Sequence, residues 1–265
     1  MRIESSRDDT RDSAGATVGL PLPIRESGLF KHGASPHILN FLSDNPEINV
    51  SIRQLATVTP HSERATRDAV EALEANELIE TFHKSNARRV QINRALLEKP
   101  DDPIRSIPQT EFQTPVRVAQ HYIADELEGV RGIVLFGSVA RGAADRQSDI
   151  DLWVLVEGDR MEQRHTANKL TQQLVELQIP PSIAVMDAID ADFESGWDQI
   201  RETLESGSQD WASAERHSFE IIVETPQSIL NQQDRVDADR LFGEGITLQS
   251  TELLDRVKQE VLTDE

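Results

Sequence analysis

The chain contains no cysteine in its 265 residues. That excludes disulfides, thiolate catalysis and cysteine-ligated zinc or iron–sulfur centres. The seven histidines are scattered, without a paired metal-ligand spacing. No stretch of about 18 apolar residues occurs, and there is no secretion-signal pattern, so the expectation is a soluble, cytoplasmic protein with no membrane partner. Lysine is scarce: 5 of the 27 basic residues, the other 22 being arginine. Acid is plentiful. The formal charge is −20, and it is uneven: residues 1–100 hold 13 basic against 14 acidic groups, the remainder 14 against 33. Such charge repels itself and weakens a compact state in dilute salt. At around 1 M salt the screening length falls to about 3 Å and the repulsion fades. The length suggests one large or two ordinary domains.

The most informative stretch runs from Gly132 to Val156, GIVLFGSVARGAADRQSDIDLWVLV. It reads as strand, tight turn, short helix, loop, strand. Ile133-Val134-Leu135-Phe136 is an unbroken apolar run, as for a strand buried on both faces. Gly137 then permits a close backbone approach to a ligand, and Ser138 offers a hydroxyl and an N–H at the start of a helix. Asp149-Ile150-Asp151 follows. In a strand, residues two apart face the same side, so the two carboxylates point together. Ile150, Leu152, Val154 and Val156 alternate with Asp149, Asp151, Trp153 and Leu155, so this strand is apolar on both sides, and acids there are costly unless paired or metal-bound. Two hard oxygen ligands facing a phosphate-friendly turn suit Mg²⁺ and a polyphosphate.

Gly137-Ser138, Arg141-Gly142 and Ser148-Asp149-Ile150-Asp151-Leu152 together resemble the signature of the DNA polymerase β-like nucleotidyltransferase superfamily. The string GSVARGAADRQSDIDL is most similar to its small, minimal branch. The resemblance implies a core over roughly Thr114 to Leu248 and a third carboxylate on a later strand between hydrophobic residues. Phe219-Glu220-Ile221 fits that setting best, and Asp187 competes with it. Glu220 stands where the family often has Asp, and as a plain solvated strand residue it has an equally simple reading. The chemistry implied is transfer of an NMP, AMP foremost, from ATP or another nucleoside triphosphate to an acceptor hydroxyl. Asp149, Asp151 and Glu220 would be catalytic and would hold two Mg²⁺ ions. Gly137, Ser138 and Arg141 would hold the phosphates. Ser148 would orient Asp149 or cap the start of the strand. Arg141 has a simpler alternative, pairing with Asp145, and Trp153 reads more readily as a core residue than as a base-stacking one. Implied partners include a protein, either a toxin masked or modified by an antitoxin or another modification target, and a second copy in a homodimer. The acidic, lysine-poor composition resembles proteins of haloarchaeal, salt-accumulating cells.

The fold class expected is α+β: an N-terminal winged helix-turn-helix followed by a polymerase β-like domain with a mixed sheet and flanking helices. Residues 1–35 read as a tail, disordered in its first part, with Leu20, Leu22, Leu29 and Phe30 as anchors. Residues 36–99 read as the winged module. Ile38, Phe41 and Leu42 line a first helix. Ser51 with Gln54 forms a capping box ahead of Ile52, Leu55 and Ala56. Thr59-Pro60 is expected to cap a third helix with Ala69, Val70 and Leu73 inward. Strands over 79–83 and 88–92 would make the wing. DNA would then meet His61, Ser62, Arg64 and Arg67 at the head of the third helix, and Lys84, Arg88 and Arg89 on the wing. Such modules also dock proteins.

Residues 100–115, with Pro100, Pro103, Pro108 and Pro115, read as an extended linker. Residues 116–265 are the catalytic domain. It opens with a helix presenting Val116, Ala119, Ile123 and Leu127, and a later helix presents Ala167, Leu170, Leu174 and Leu177. Residues 179–215 read as an insertion or lid, with a strand at 183–186 and a helix through Trp197, Ile200 and Leu204. In 217–225, Phe219, Ile221 and Val223 alternate with Glu220, Ile222 and Glu224 as in a strand. A short helix follows Thr225-Pro226, an edge strand is expected near 246–248, and Leu253, Leu254, Val257 and Val261 mark a C-terminal helix. A second functional class is a DNA-binding regulator or antitoxin whose nucleotidyltransferase-like domain binds nucleotide without chemistry.

Overall fold

In the computed structural model of the chain, the structure describes residues 20–84, 87–93, 97–98, 102–180, 183, 193, 196–207, 214–230 and 235–263. The expected disorder of the first residues, the strand positions 184–186 and Asp187 lie outside the described residues.

From the N-terminus, β1 (Leu20–Pro21) precedes α1 (Ala34–Asp44), β2 (Val50–Ser51), α2 (Ile52–Val58), α3 (Glu63–Ala75), β3 (Ile79–Lys84), β4 (Ala87–Ile92) and β5 (Leu97–Glu98). The strands β2, β4 and β3 form one antiparallel sheet in that order, and β1 pairs with β5. The Ser51 capping box forms in both directions: Gln54 N–H donates to Ser51 Oγ at 3.2 Å, and Ser51 N–H donates to Gln54 Oε1 at 2.8 Å. Thr59 does not start the third helix. Its hydroxyl donates to the Leu55 carbonyl at 2.7 Å and closes α2, while Ser62 caps α3 by accepting from Ala65 N–H at 3.3 Å. His61 therefore precedes the helix rather than heading it.

The proline-rich segment is packed rather than extended. Two 3-10 turns, Pro103–Ser106 and Thr110–Phe112, bury Ile104, Ile107 and Phe112. Proline is tolerated at a first turn because its missing N–H is not needed there, and the apolar residues between the prolines draw the segment onto the core.

The second half holds α4 (Gln113–Glu126), β6 (Val130–Phe136), α5 (Gly137–Ala140), β7 (Ile150–Val156), α6 (Arg160–Glu176), α7 (Trp197–Ser206), β8 (Phe219–Glu224), α8 (Pro226–Leu230), α9 (Arg235–Glu244), β9 (Ile246–Gln249) and α10 (Glu252–Thr263). Its sheet runs β8-β7-β6-β9, with β7 and β8 parallel and the other pairs antiparallel. α9 is an element the sequence reading did not anticipate.

Alternation along the strands feeds two cores. On one face Ile133, Leu135, Leu152, Val154, Ile221 and Val223 pack with α4, α6 and α7. On the other, Val134, Trp153 and Leu155 pack with Phe242 of α9, with α10, and with Ile38, Phe41, Leu42, Leu55 and Val58 of α1 and α2. The N-terminal helices thus complete the second core. The contact is close: a Cβ on Gly243 would lie 2.3 Å from the Val58 carbonyl oxygen.

Candidate functional site

β6 ends at Phe136, and the chain turns at once into the four residues of α5. Gly137 makes this possible with φ +72°, a conformation that favours glycine. The absence of a side chain matters as much. A Cβ there would sit 1.8 Å from Asp151 Oδ2, so the Asp151 carboxylate occupies the space glycine leaves. No side chain caps α5, and its turn is closed by Arg141 N–H to the Gly137 carbonyl at 3.3 Å and Ala143 N–H to the Ser138 carbonyl at 2.9 Å.

Asp151 is the second residue of β7 and lies opposite Phe136 of β6 on one side and Glu220 of β8 on the other. Asp149 is exposed and lies just before the strand, whose first N–H, at Ile150, donates to the Ser218 carbonyl at 2.9 Å. The three acids feel one another. Burial first, then the Glu220 and Asp149 charges, push the Asp151 carboxyl up to about 6 against the opposing charge of Arg141. Among the described residues, no group of three or more acids or histidines is drawn into a ready-made metal cluster. The donor set nonetheless suits Mg²⁺, which commonly takes one or two carboxylates with waters and substrate phosphates and needs no protein cage. Mutual repulsion also keeps carboxylates apart until a cation joins them.

Arg141 does not pair with Asp145. Its Nη1 lies 3.3 Å from Glu244 Oε2, and the same oxygen lies 3.4 Å from Arg240 Nε. Ser148 is engaged with Asp145 rather than Asp149: Asp145 N–H donates to its Oγ at 2.9 Å, and its hydroxyl donates to Asp145 Oδ1 at 3.1 Å. Those bonds, led by the Gln147 N–H, lower the Asp145 pKa and fix the loop that delivers Asp149. Trp153 is a core residue, 4% exposed and edge-on to Phe242 at 5.5 Å.

Trp153 and Ile222, each two residues beyond an acid on its strand, line a cavity of about 490 Å³ that also touches Gly137, Arg141, Glu224 and Glu244. A second cavity of about 530 Å³, between α1 and the Arg141–Gly142 bend, shares Arg141 and Glu244 with it, and neither cavity is lined by any of the three acids. Glu224, Arg240 and Glu244 escaped the sequence reading. The alternation in 217–225 marked Glu224, but nothing local tied Glu244 to a residue 103 positions earlier.

Residues 122–208 match the family model described as nucleotidyltransferase domain. The matched segment contains Gly137, Ser138, Arg141, Asp149 and Asp151 and ends before Glu220. A solved structure described as "Crystal structure of the toxin-antitoxin with AMP-PNP" is 18% identical over 55% of this chain and 82% of that chain, with a TM-score of 0.32. No curated protein matches the chain. Among the described residues, no helix is long and apolar enough to cross a membrane.

The residues expected to meet DNA are mostly engaged within the protein. His61 Nε2 lies 3.1 Å from His37 Nδ1, and burial beside His37 lowers its pKa. Ser62 is a helix cap. Arg67 pairs with Glu63 at 2.8 Å, Arg88 pairs with Glu74, and Arg89 Nη1 donates to Gln54 Oε1 at 2.9 Å. Arg64 and Lys84 are exposed.

Proposed function

We propose that this chain is a Mg²⁺-dependent nucleotidyltransferase that moves an NMP, AMP foremost, from a nucleoside triphosphate to an acceptor hydroxyl. One observation carries the reading: Asp151 and Glu220 are register neighbours on parallel strands, beside a glycine whose missing side chain makes room for the Asp151 carboxylate. Asp149 and Asp151 would hold Mg²⁺, with Glu220 as a shared ligand or as the base. Bound Mg²⁺ neutralises the phosphates and makes the acceptor hydroxyl more acidic. Ser138 and the N–H groups of the Gly137–Val139 turn hold the terminal phosphates. Arg141 exchanges Glu244 for a phosphate, which it can grip bidentately. The acceptor oxygen attacks the α-phosphorus in line. Its proton passes to Glu220, the bond to the β-phosphate oxygen breaks, and pyrophosphate leaves.

Residues 36–99 we read as a winged helix-turn-helix, a reading supported by the α1-β2-α2-α3-β3-β4 order and the three-stranded sheet. DNA contact would rest first on Arg64 and Lys84, since the other expected cations would have to leave their partners. The second function, a regulator or antitoxin that binds nucleotide without catalysis, is favoured by Arg141 being held by Glu244.

The test is label transfer in molar KCl. With α-labelled ATP and lysate as the source of acceptors, label should enter a product only with Mg²⁺ and vanish in Asp149→Ala. A sequence-selective DNA shift lost in Arg64→Ala, with no label transferred by the native protein, would favour the regulator instead.

A further inference from the structure

Glu224 ends β8 on the same sheet face as Glu220 and Ile222, and it is 7% exposed. The mechanism above makes no use of it. Burying a carboxylate at an apolar sheet face is unfavourable unless something answers its charge. Arg160 Nε lies 3.4 Å from Glu224 Oε2, yet neither atom makes a hydrogen bond. The arginine gives an ionic hold without satisfying the acceptor. A buried polar atom left in that state calls for a partner, and this side chain lines the cavity that also touches Gly137 and Arg141.

The cavity has a direction. Asp151 is register-paired with Glu220, and Leu155 with Glu224, four residues further along the parallel strands. At about 3.3 Å per residue the two levels stand roughly 13 Å apart. That is comparable to the reach from an α-phosphate to the far edge of its base in an extended nucleotide. Between the levels the lining is apolar: Trp153 and Ile222 come from the sheet, Ile229 from α8 and Leu241 from α9. A planar ring fits such a slot. Arg240, also at this cavity, is drawn to Glu244.

We propose that Glu224 selects the nucleobase by accepting a hydrogen bond from the exocyclic amine that adenine carries at C6 and cytosine at C4, so that adenine and cytosine nucleotides bind and guanine and uracil nucleotides are rejected. A carboxylate only accepts hydrogen bonds. Uracil turns a carbonyl oxygen toward it where cytosine presents an amine, and guanine does so where adenine presents one, which sets two lone-pair groups face to face in a dry site. The proposal rests on the reading of this cavity as the nucleotide cleft.

The experiment is calorimetric titration of the full chain with ATP, GTP, CTP and UTP in Mg²⁺ and molar KCl, together with purine riboside triphosphate, which lacks the amine. The native protein should bind ATP and CTP about tenfold or more tighter than GTP, UTP and purine riboside triphosphate. Glu224→Gln, whose amide both donates and accepts, should bring UTP to within about threefold of CTP while leaving the Mg²⁺ requirement intact. The native comparison of ATP with purine riboside triphosphate needs no variant, so the proposal stays testable if Glu224→Gln does not fold. Equal binding of ATP and purine riboside triphosphate, or of CTP and UTP, would overturn this proposal alone. Failure of every triphosphate to bind would overturn the nucleotide reading and this proposal with it.

Discussion

Asp151 is pressed by burial and by two neighbouring acids, and all three effects favour its protonated form. The sign of the consequence follows. In the unfolded chain the carboxyl titrates near 3.8, in the folded protein near 6. Its protonated form therefore favours the fold fully below the unfolded value, and that stability is lost as pH rises through the folded one. Without Mg²⁺, the denaturation midpoint should fall between about pH 4 and pH 6, and Asp151→Asn should flatten that slope. Mg²⁺ competes with the proton for the same oxygens, so its affinity should drop as pH falls through about 6. Glu220→Gln should shift that drop to lower pH, and a carboxyl titration followed by NMR would show it. Gly137→Ala is a second probe at this scale. It needs a φ that costs an L-residue about 1–2 kcal/mol, and its Cβ would displace the Asp151 carboxylate. Nucleotide binding should be lost in a protein that still unfolds cooperatively. Gly137, Asp149 and Asp151 were legible because they lie within 15 residues and their chemistry is local. Glu244 was not, because its partner Arg141 is fixed only by how α9 crosses the turn.

Among the elements, α2 illustrates what local sequence can specify. Ser51 and Gln54 cap it as their spacing predicts, and Gln54 also accepts from Arg89, which ties the hairpin to the helix. The join between α1 and the four-stranded sheet is another matter. Asp44, the last residue of α1, accepts the Thr247 N–H at 3.1 Å and the Thr247 hydroxyl at 2.5 Å, on the edge strand β9. Lys258 of α10 donates to Thr247 Oγ1 at 2.6 Å and lies 3.7 Å from Asp44. The Lys258 and Asp44 side chains are 3% and 9% exposed, and breaking such a pair by removing one partner costs about 3 kcal/mol. Asp44→Ala should lower stability by about that amount in chemical denaturation, against near-neutrality for the exposed Asp68→Ala. Strand-edge N–H groups and a helix end 203 residues apart leave no trace in local pattern. The proline-rich segment was misjudged for a related reason. Proline spacing predicts an extended linker, whereas burial of Ile104, Ile107 and Phe112 decides its course.

For the molecule as a whole, the main finding is the shared second core. Val134, Trp153 and Leu155 are covered by α9, by α10 and by helices from the first 60 residues. The prolines of residues 100–115 suggest a boundary between two domains, but apolar burial crosses it. A fragment of residues 100–265 should therefore aggregate or lose its fixed packing, and the full chain should unfold in one cooperative step. Two separated transitions, with the fragment folded and monomeric, would argue for independent domains. The net charge of −20 acts at the same scale. Screening should raise the melting temperature as KCl climbs from 0.1 M toward the molar range.

One titration bears most directly on the acids at the Gly137 turn. A non-hydrolysable nucleoside triphosphate analogue is added to the full chain in molar KCl, with Mg²⁺ and then with EDTA, for the native protein and for Asp149→Ala and Asp151→Ala. Binding should occur at one site per chain, require Mg²⁺, and weaken by about a hundredfold or more in either variant. Mg²⁺-independent binding of equal strength in all three proteins would contradict the assignment of these carboxylates.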